Sequence, residues 1–525
     1  MAAMLPLPET LPDTYDELRQ ASLSLLGTVR NLTGEIKAKD LKIEALTLEI
    51  ARLKRWRFGP SSEQIDAHQL GLWVEDLEAD LAAAAARKPA ADGESPAQPP
   101  KRRPVRQPLP AHLPRIEHRH ELESCTCGQC GSDLVVIGED VSEQLDIVPA
   151  QFFVHRHIRP KYACRACETV VAAPLPPQAI DKGLPAPGLL AQVLTAKYQD
   201  HLPLYRQAVI YARQGVFLPR STQAGWVGAC EALLEPLVDR LKAHILAEPY
   251  LQADETTVPV LAPGTGKTHT GYLWAYRTGP FAAIQAVVFD YADSRGKTWP
   301  TAFLQEFRGI LQVDGYAGYN DVLKREAITE AGCWAHSRRK FFEVFKATGS
   351  PVAEEALRRI GRLYAVEADA KGLAPEERAA LRQEKAGPVI DGLKAWLEDT
   401  LAKLAPASGL AGAIGYTLGR WPALTVYLED GTVGIDNNPI ERNFRGIALG
   451  RRNYLFAGSP EGGRRAAVAY TLVETCKLNG VEPYAYFKDI LARLPAHPHK
   501  QIDDLLPWRW KSLAPEPSNI ARGPP

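Results

Sequence analysis

The sequence predicts a multidomain α+β protein. Three features point there: a heptad-patterned start, two close cysteine pairs, and a strand-rich stretch interrupted by a long helical region. At 525 residues the chain is too long for one hydrophobic core. Its 62 basic residues balance 62 acidic ones, so any attraction to a polyanion must come from local charge. No apolar run is long enough to span a membrane, and the opening MAAMLPLPETLPDTYDE lacks the apolar core of a signal peptide. A cytoplasmic protein with no membrane partner is therefore expected. Four of the eight cysteines form two close pairs, which suits metal in a reducing compartment better than a disulfide framework.

Residues 1–60 carry the heptads. Ser22, Val29, Ile36, Ile43 and Ile50 fall at a, with Leu25, Leu32, Lys39, Leu46 and Leu53 at d. A narrow, strict a/d stripe with β-branched a and Leu d predicts a parallel two-stranded coil, and so self-association. The other reading is an amphipathic helix packed on its own domain. Residues 61–111 read as a linker, with seven prolines between Pro89 and Pro110 and a basic run at Lys101, Arg102, Arg103 and Arg106. Such a segment is an extended tether, or one that lies along phosphates.

Residues 112–180 hold Cys127-x-x-Cys130 and Cys164-x-x-Cys167, separated by 33 residues. Two thiolate pairs on tight turns present the four soft ligands that one structural Zn²⁺ needs. The intervening alternation predicts a zinc-ribbon-like module, and Cys125 is a rival ligand to Cys127. His155, Arg156, His157, Arg159 and Lys161 give the module a basic edge.

Residues 181–248 read as a helical, helix-turn-helix-like DNA-binding segment. A helix from Leu204 to Arg213 meets a turn at Gln214-Gly215, and Ser221 or Thr222 is placed to cap a second helix. Arg220, Gln223 and Trp226 then fall where bases are read. A helical hairpin packed on the following domain fits the same pattern. The P-loop-like Gly264-Thr265-Gly266-Lys267-Thr268 lacks the required earlier glycine, since position 261 is Leu261, and no helix is predicted after it. It reads as a hairpin loop.

Residues 249–480 read as strands at Tyr250 to Leu261, Gly271 to Thr278, Ala282 to Tyr291 and Ile310 to Val313, with a helix near Trp299 to Phe307. Three antiparallel strands, a helix and a fourth strand begin an RNase H-like fold, here with a helical insertion at about 337–430. Asp254 lies in the first strand and Asp314 ends the fourth, and these two strands are neighbours at the centre of that fold. Glu441, on a helix capped by Asn437 or Asn438 with Pro439 in its first turn, completes a set of three carboxylates. Carboxylates in apolar strands are costly without a metal. Hard oxygen ligands from separate elements suit two Mg²⁺ ions working on a phosphodiester. Glu255 is expected on the opposite face of its strand, away from the site. Arg442, Arg445, Arg451 and Arg452, with Arg464 and Arg465, crowd the third acid and suit DNA phosphates, as do Arg338 and Arg339. Residues 481–525 read as a C-terminal tail segment.

These motifs carry a resemblance. RWRFGPSSEQ, HIRPKYACRAC, LQADETTVPVLAPGTGKTHTGYLWAY, VDGYAGYN, AGCWAHSRRKFF, IDNNPIERNFRGIALGRRNYLFAGSPEGG and LNGVEPYAYFKDILARLPAHPHKQIDDLLPWRW are similar to insertion-sequence-66 family transposases, nearly end to end. The family's acidic triad falls on Asp254, Asp314 and Glu441, and its helical insertion accounts for the 127 positions between the last two. Cys333-Trp334-Ala335-His336 resembles a motif shared by several DDE families, in which His336 contacts the scissile phosphate or holds Asp314; a buried structural pair is the other reading. The resemblance implies a protein that binds element terminal repeats and target DNA, then cuts and joins strands, with small accessory proteins encoded nearby. A catalytically dead DNA-binding regulator and a nuclease that never joins ends are the rival readings. The extra cysteine in CTCGQC is a departure from the family pattern.

Overall fold

A computed structural model describes residues 151–510, except 164–169, 173, 175, 182 and 263. The coiled coil, the linker and the ligand cysteines Cys127, Cys130, Cys164 and Cys167 lie outside the described residues. The chain divides into two units, Asp92–His157 and the remainder, and the second carries everything that follows. Its first strands, β1 (Lys161–Ala163) and β2 (Val170–Ala172), pair antiparallel.

The core is a five-stranded mixed sheet formed by β3 (Tyr250–Ala262), β4 (Lys267–Thr278), β5 (Val287–Ala292), β6 (Gly309–Gln312) and β7 (Ile328–Ala331), in the order β5-β4-β3-β6-β7. β3, β4 and β5 run antiparallel; β6 and β7 continue the sheet in parallel from β3. β3 and β4 form one long antiparallel hairpin, in whose turn Gly264 and Gly266 adopt positive φ, and a strand follows. That is hairpin geometry, as the missing glycine at 261 predicted. β5 begins at Val287 rather than Ala282. Residues 279–285 instead form a turn in which the Gln285 amide donates to the Gly279 carbonyl at 2.9 Å, replacing strand pairing.

Helices cover the sheet. In chain order they are α1 (Pro187–Tyr198), α2 (Leu204–Ala212), α3 (Arg220–Leu246), α4 (Thr298–Phe303) and α5 (Asn320–Leu323). The inserted α6 (Trp334–Thr348), α7 (Pro351–Asp369), α8 (Pro375–Leu381), α9 (Gly387–Leu401), α10 (Gly409–Gly419) and α11 (Trp421–Glu429) come next, followed by α12 (Asn438–Tyr454), α13 (Pro460–Leu478) and α14 (Pro483–Arg493). α13 masks the exposed edge of the sheet: Thr471 and Thr475 accept the backbone N–H groups of Phe289 and Val287 at 2.9 and 3.2 Å.

Two expected modules join the main core. Leu234, Leu237, Leu241 and Ile245 bury one face of α3 with the sheet, and α14 contributes Tyr486, Phe487, Ile490 and Leu491. Neither the helical segment nor the start of the C-terminal segment is peripheral. The insertion has its own core around Ile360, Leu393, Leu397, Ile414 and Trp421. There the fully buried Arg382 binds Glu367 at 2.6 Å and donates to the Tyr427 carbonyl at 2.7 Å, which satisfies its charge.

The helix-turn-helix expectation is corrected in part. α3 runs 27 residues, far beyond a short recognition helix, and Pro219, not Ser221 or Thr222, is its N-cap. Gln223 is fully buried and donates to the Leu218 carbonyl at 3.0 Å, and Trp226 is buried too. Neither faces a DNA groove. Arg220 is exposed at the helix start.

Candidate functional site

The strand pair β3–β6 fixes the two aspartates. Gln252 is in register with Gln312, and each strand continues two residues to an aspartate, Asp254 on one and Asp314 just past the end of the other. Alternation puts each glutamine and its aspartate on one face. The extension past β6 is held, because the Val313 N–H donates to Ala331 at 3.0 Å. Gly315 then turns the chain at φ +94°, a conformation open to glycine. The Asp314 carboxylate accepts the Tyr316 N–H at 2.8 Å, and its carbonyl accepts the Tyr416 hydroxyl from α10 at 2.6 Å.

Glu441 arrives on the first turn of α12, buried, where the helix N-terminus favours negative charge. Asn437 is the N-cap residue, as expected, and Pro439 lies in the first turn, but the capping bond comes from elsewhere. Asn437 makes no side-chain capping bond; the Asp436 carboxylate accepts the Asn438 N–H at 3.2 Å instead. The loop ahead of α12 is clasped from several sides. The Gln312 amide donates to Gly434 and Gly332 carbonyls at 2.8 and 2.9 Å, and Gln252 donates to the Asp436 carbonyl at 3.2 Å. Tyr364 of α7 donates to the Asp436 carboxylate at 3.1 Å. On the other side of Glu441, Arg277 donates to the Pro439 carbonyl.

His336 stands between the acids. Its Nε2 is 4.0 Å from Asp314 Oδ2, and its Nδ1 is 4.0 Å from Glu441 Oε1. Cys333 meets it through the backbone, its thiol taking a hydrogen bond from the main chain of His336. The Cys333 thiol accepts the Asn437 N–H at 3.4 Å, linking the start of α6 to the Glu441 loop. Burial pushes that thiol well above its usual range.

The carboxylates feel one another. Burial first, then the charges of Glu441, Glu255 and Asp314, hold the Asp254 carboxyl well above its ordinary value. Burial also raises Asp436, to about 6. Strand alternation turns Glu255 away from Asp254, yet its buried carboxylate binds Arg295 at 2.5 Å and accepts the Tyr319 hydroxyl at 3.3 Å, and its charge acts on Asp254. The sequence held a signal for the glutamine layer as well. Leu251-Gln252-Ala253-Asp254 and Leu311-Gln312-Val313-Asp314 repeat one pattern, with a buried amide two residues ahead of each aspartate.

The arginines sort by contact. Arg451 donates to the carbonyl and hydroxyl of Thr257 and so braces β3. Arg464 and Arg465 lie on α13 beside Glu461 and Glu231, at 3.7 and 3.9 Å. Arg442 is exposed, and Arg338, Arg339, Arg445 and Arg452 are half-buried.

Among the described residues, no three histidine, cysteine or acidic side chains close into a ready-made metal cage. The donor chemistry nevertheless fits a hard cation. The charges of Glu441, Glu255 and Asp314 act on Asp254, and among the described residues His336 Nδ1, Asn438 Oδ1 and both polar atoms of the Asn437 side chain are buried without a hydrogen-bond partner. Among the described residues no helix is long and apolar enough to cross a membrane.

Comparison with known families covers most of the chain. The model described as transposase IS66 family matches residues 182–465, and the IS66 C-terminal element matches 471–508. The zinc-finger binding domain of transposase IS66 matches 124–168, which contains all four paired cysteines and supports zinc as a cofactor. The model described as transposase C of IS166 homeodomain matches 45–117, including the whole proline-rich stretch. Among curated relatives, uncharacterized protein y4jD of Sinorhizobium fredii (strain NBRC 101917 / NGR234) is 39% identical over 485 residues, covering 89% of this chain and 94% of its own. Uncharacterized protein y4qI of the same strain is 37% identical over 539 residues, covering 97% of this chain and 99% of its own. With those matches spanning the sheet, its helices and the cysteine module, the chain belongs to the IS66 family of transposases.

Proposed function

We propose that this chain is a DDE transposase whose RNase H-like core carries Asp254, Asp314 and Glu441 as one catalytic set. It binds the ends of its element, cleaves DNA strands there and joins them to target DNA. The observation that carries this reading is the electrostatic contact of three carboxylates from three separate elements, with His336 4.0 Å from two of them. The sheet order supports the RNase H-like assignment, because it sets the first and fourth strands of the core side by side.

Asp254, Asp314 and Glu441 would hold a pair of Mg²⁺ ions, which when bound activate the attacking oxygen and stabilise the leaving one. Water and then a DNA 3′-hydroxyl are the successive nucleophiles. His336 stands close enough to hydrogen-bond a phosphate oxygen entering between Asp314 and Glu441. Arg338, Arg339, Arg442, Arg445 and Arg452 engage flanking phosphates, and Arg220 contacts DNA from the start of α3. Arg451 acts indirectly, through Thr257. Cys127, Cys130, Cys164 and Cys167 hold one structural Zn²⁺. The N-terminal heptads provide self-association, and small accessory proteins of the same element are further partners.

A strand-transfer assay with labelled element ends tests this. The wild-type chain yields joined product. Glu441→Gln keeps shape but loses a charge, so it binds ends while cleavage falls by several orders of magnitude. Cleavage by Glu441→Gln at near wild-type rate overturns the assignment. Binding without cutting by the wild-type chain identifies a regulator, and cutting without joining identifies a nuclease.

A further inference from the structure

We infer that Arg295 is a phosphate-binding residue of the carboxylate site, held in position by Glu255 and Tyr316. This rests on the reading of the site given above. A glutamate buried in the central strand of a sheet requires a partner. Glu255, whose side chain is 2% exposed, finds it in Arg295 from the loop after β5, at 2.7 Å through Nε and 2.5 Å through Nη2. Only one member of the pair is buried. Here the arginine side chain remains 45% exposed.

Tyr316 fixes the guanidinium from another side. Its ring centroid lies 3.7 Å from the Arg295 guanidinium carbon, and its hydroxyl donates to the Arg295 carbonyl at 2.7 Å. The backbone N–H of the same tyrosine donates to Asp314. One residue therefore sets both the carboxylate of Asp314 and the orientation of the arginine. Glu255 occupies the Nε–Nη2 edge. Among the described residues nothing accepts from Nη1, which leaves that nitrogen for an oxygen arriving from solution.

The electrostatics give the arginine a purpose. Asp254, Asp314, Glu441 and Glu255 together repel a phosphodiester. The charge of Asp314 is felt at Arg295, so a phosphate beside Asp314 meets this cation too. A fixed guanidinium needs no reorganisation when negative charge develops on a non-bridging oxygen. Glu255 and Tyr316 act only through the arginine and are positioning residues.

The test uses the full-length chain and two labelled duplexes of the element end, one natural and one with a neutral methylphosphonate at the scissile position. Arg295→Gln should cut the natural duplex about 10²-fold more slowly. On the methylphosphonate duplex, wild type and Arg295→Gln should cut at similar rates, since the charge the arginine serves is gone. The slope of binding against salt should fall by about one for Arg295→Gln. Glu255→Gln should show the same pattern at smaller amplitude, with Arg295→Lys intermediate. Equal losses on both duplexes, or an unchanged rate and salt slope, overturn the inference. Glu441→Gln run alongside separates the failures: if it cuts normally the site reading falls, and if it is inactive while Arg295→Gln cuts normally only this inference falls.

Discussion

Gln252 and Gln312 meet side chain to side chain, the amide of Gln252 donating to the carbonyl oxygen of Gln312 at 2.9 Å, directly beneath two aspartates. Tyr250 donates to the same oxygen at 2.6 Å, and the Gln312 nitrogen divides itself between two carbonyls. The layer is fully buried.

Gln312→Leu should therefore be costly. It fills similar space but strands two carbonyls, a hydroxyl and an amide, each a penalty of about 1–3 kcal/mol. A loss of about 3 kcal/mol or more is expected, read as a lower urea midpoint with an unchanged slope. A midpoint within experimental scatter of wild type would show that the layer carries no weight.

Asp436 should make stability fall as pH rises. Its carboxyl is raised from 3.8 to about 6 in the folded chain, so the folded state holds the proton more tightly than the unfolded state. Nothing is lost below about pH 4. Between about pH 4 and 6 the group withdraws about 3 kcal/mol, and the penalty is constant above that. Asp436→Asn should remove this slope. Urea midpoints of both proteins at pH 4, 5, 6 and 7 measure it; parallel profiles would refute the assignment.

The cysteine module should carry one Zn²⁺ per chain. Elemental analysis of protein purified without chelator should give that ratio, and Cys130→Ser with Cys164→Ser should abolish it. Chelation should unfold the module while the sheet domain persists. Protein free of zinc would end the idea.

Removing residues 18–54 should lower the oligomeric state and leave the rest folded. Light scattering on the two proteins decides it. An unchanged assembly would mean that the heptad helix packs within its own chain.

The parts that were legible in the sequence share a cause. Asp254 and Asp314 stood out because a carboxylate in an apolar strand demands explanation, and the 264–266 turn because two glycines without a preceding one exclude a P-loop. Gln223 was not legible. A polar residue at a helix start reads alike whether it meets a base or, as here, the carbonyl of Leu218. The partners of Glu255 were hidden for a different reason. Strand alternation does turn it from Asp254, but its partners Arg295 and Tyr319 lie 40 and 64 positions away, and no local pattern reveals them. Burial of α3 and α14 in the main core likewise depends on contacts between distant parts of the chain.

The two carbonyls that share the Gln312 nitrogen belong to Gly332 and Gly434. Between them the chain makes an excursion of 101 residues that builds a separate core. Departure and return thus pass through one doorway, narrow enough for a single side chain to span. For evolution such a doorway works as a socket. Because the cost of closing a loop grows only slowly with its length, the cassette plugged in there can lengthen, shrink or be exchanged while the frame around it keeps its shape. Length differences among relatives should gather between these two glycines, and a chimera exchanging the cassette at them should still fold its sheet.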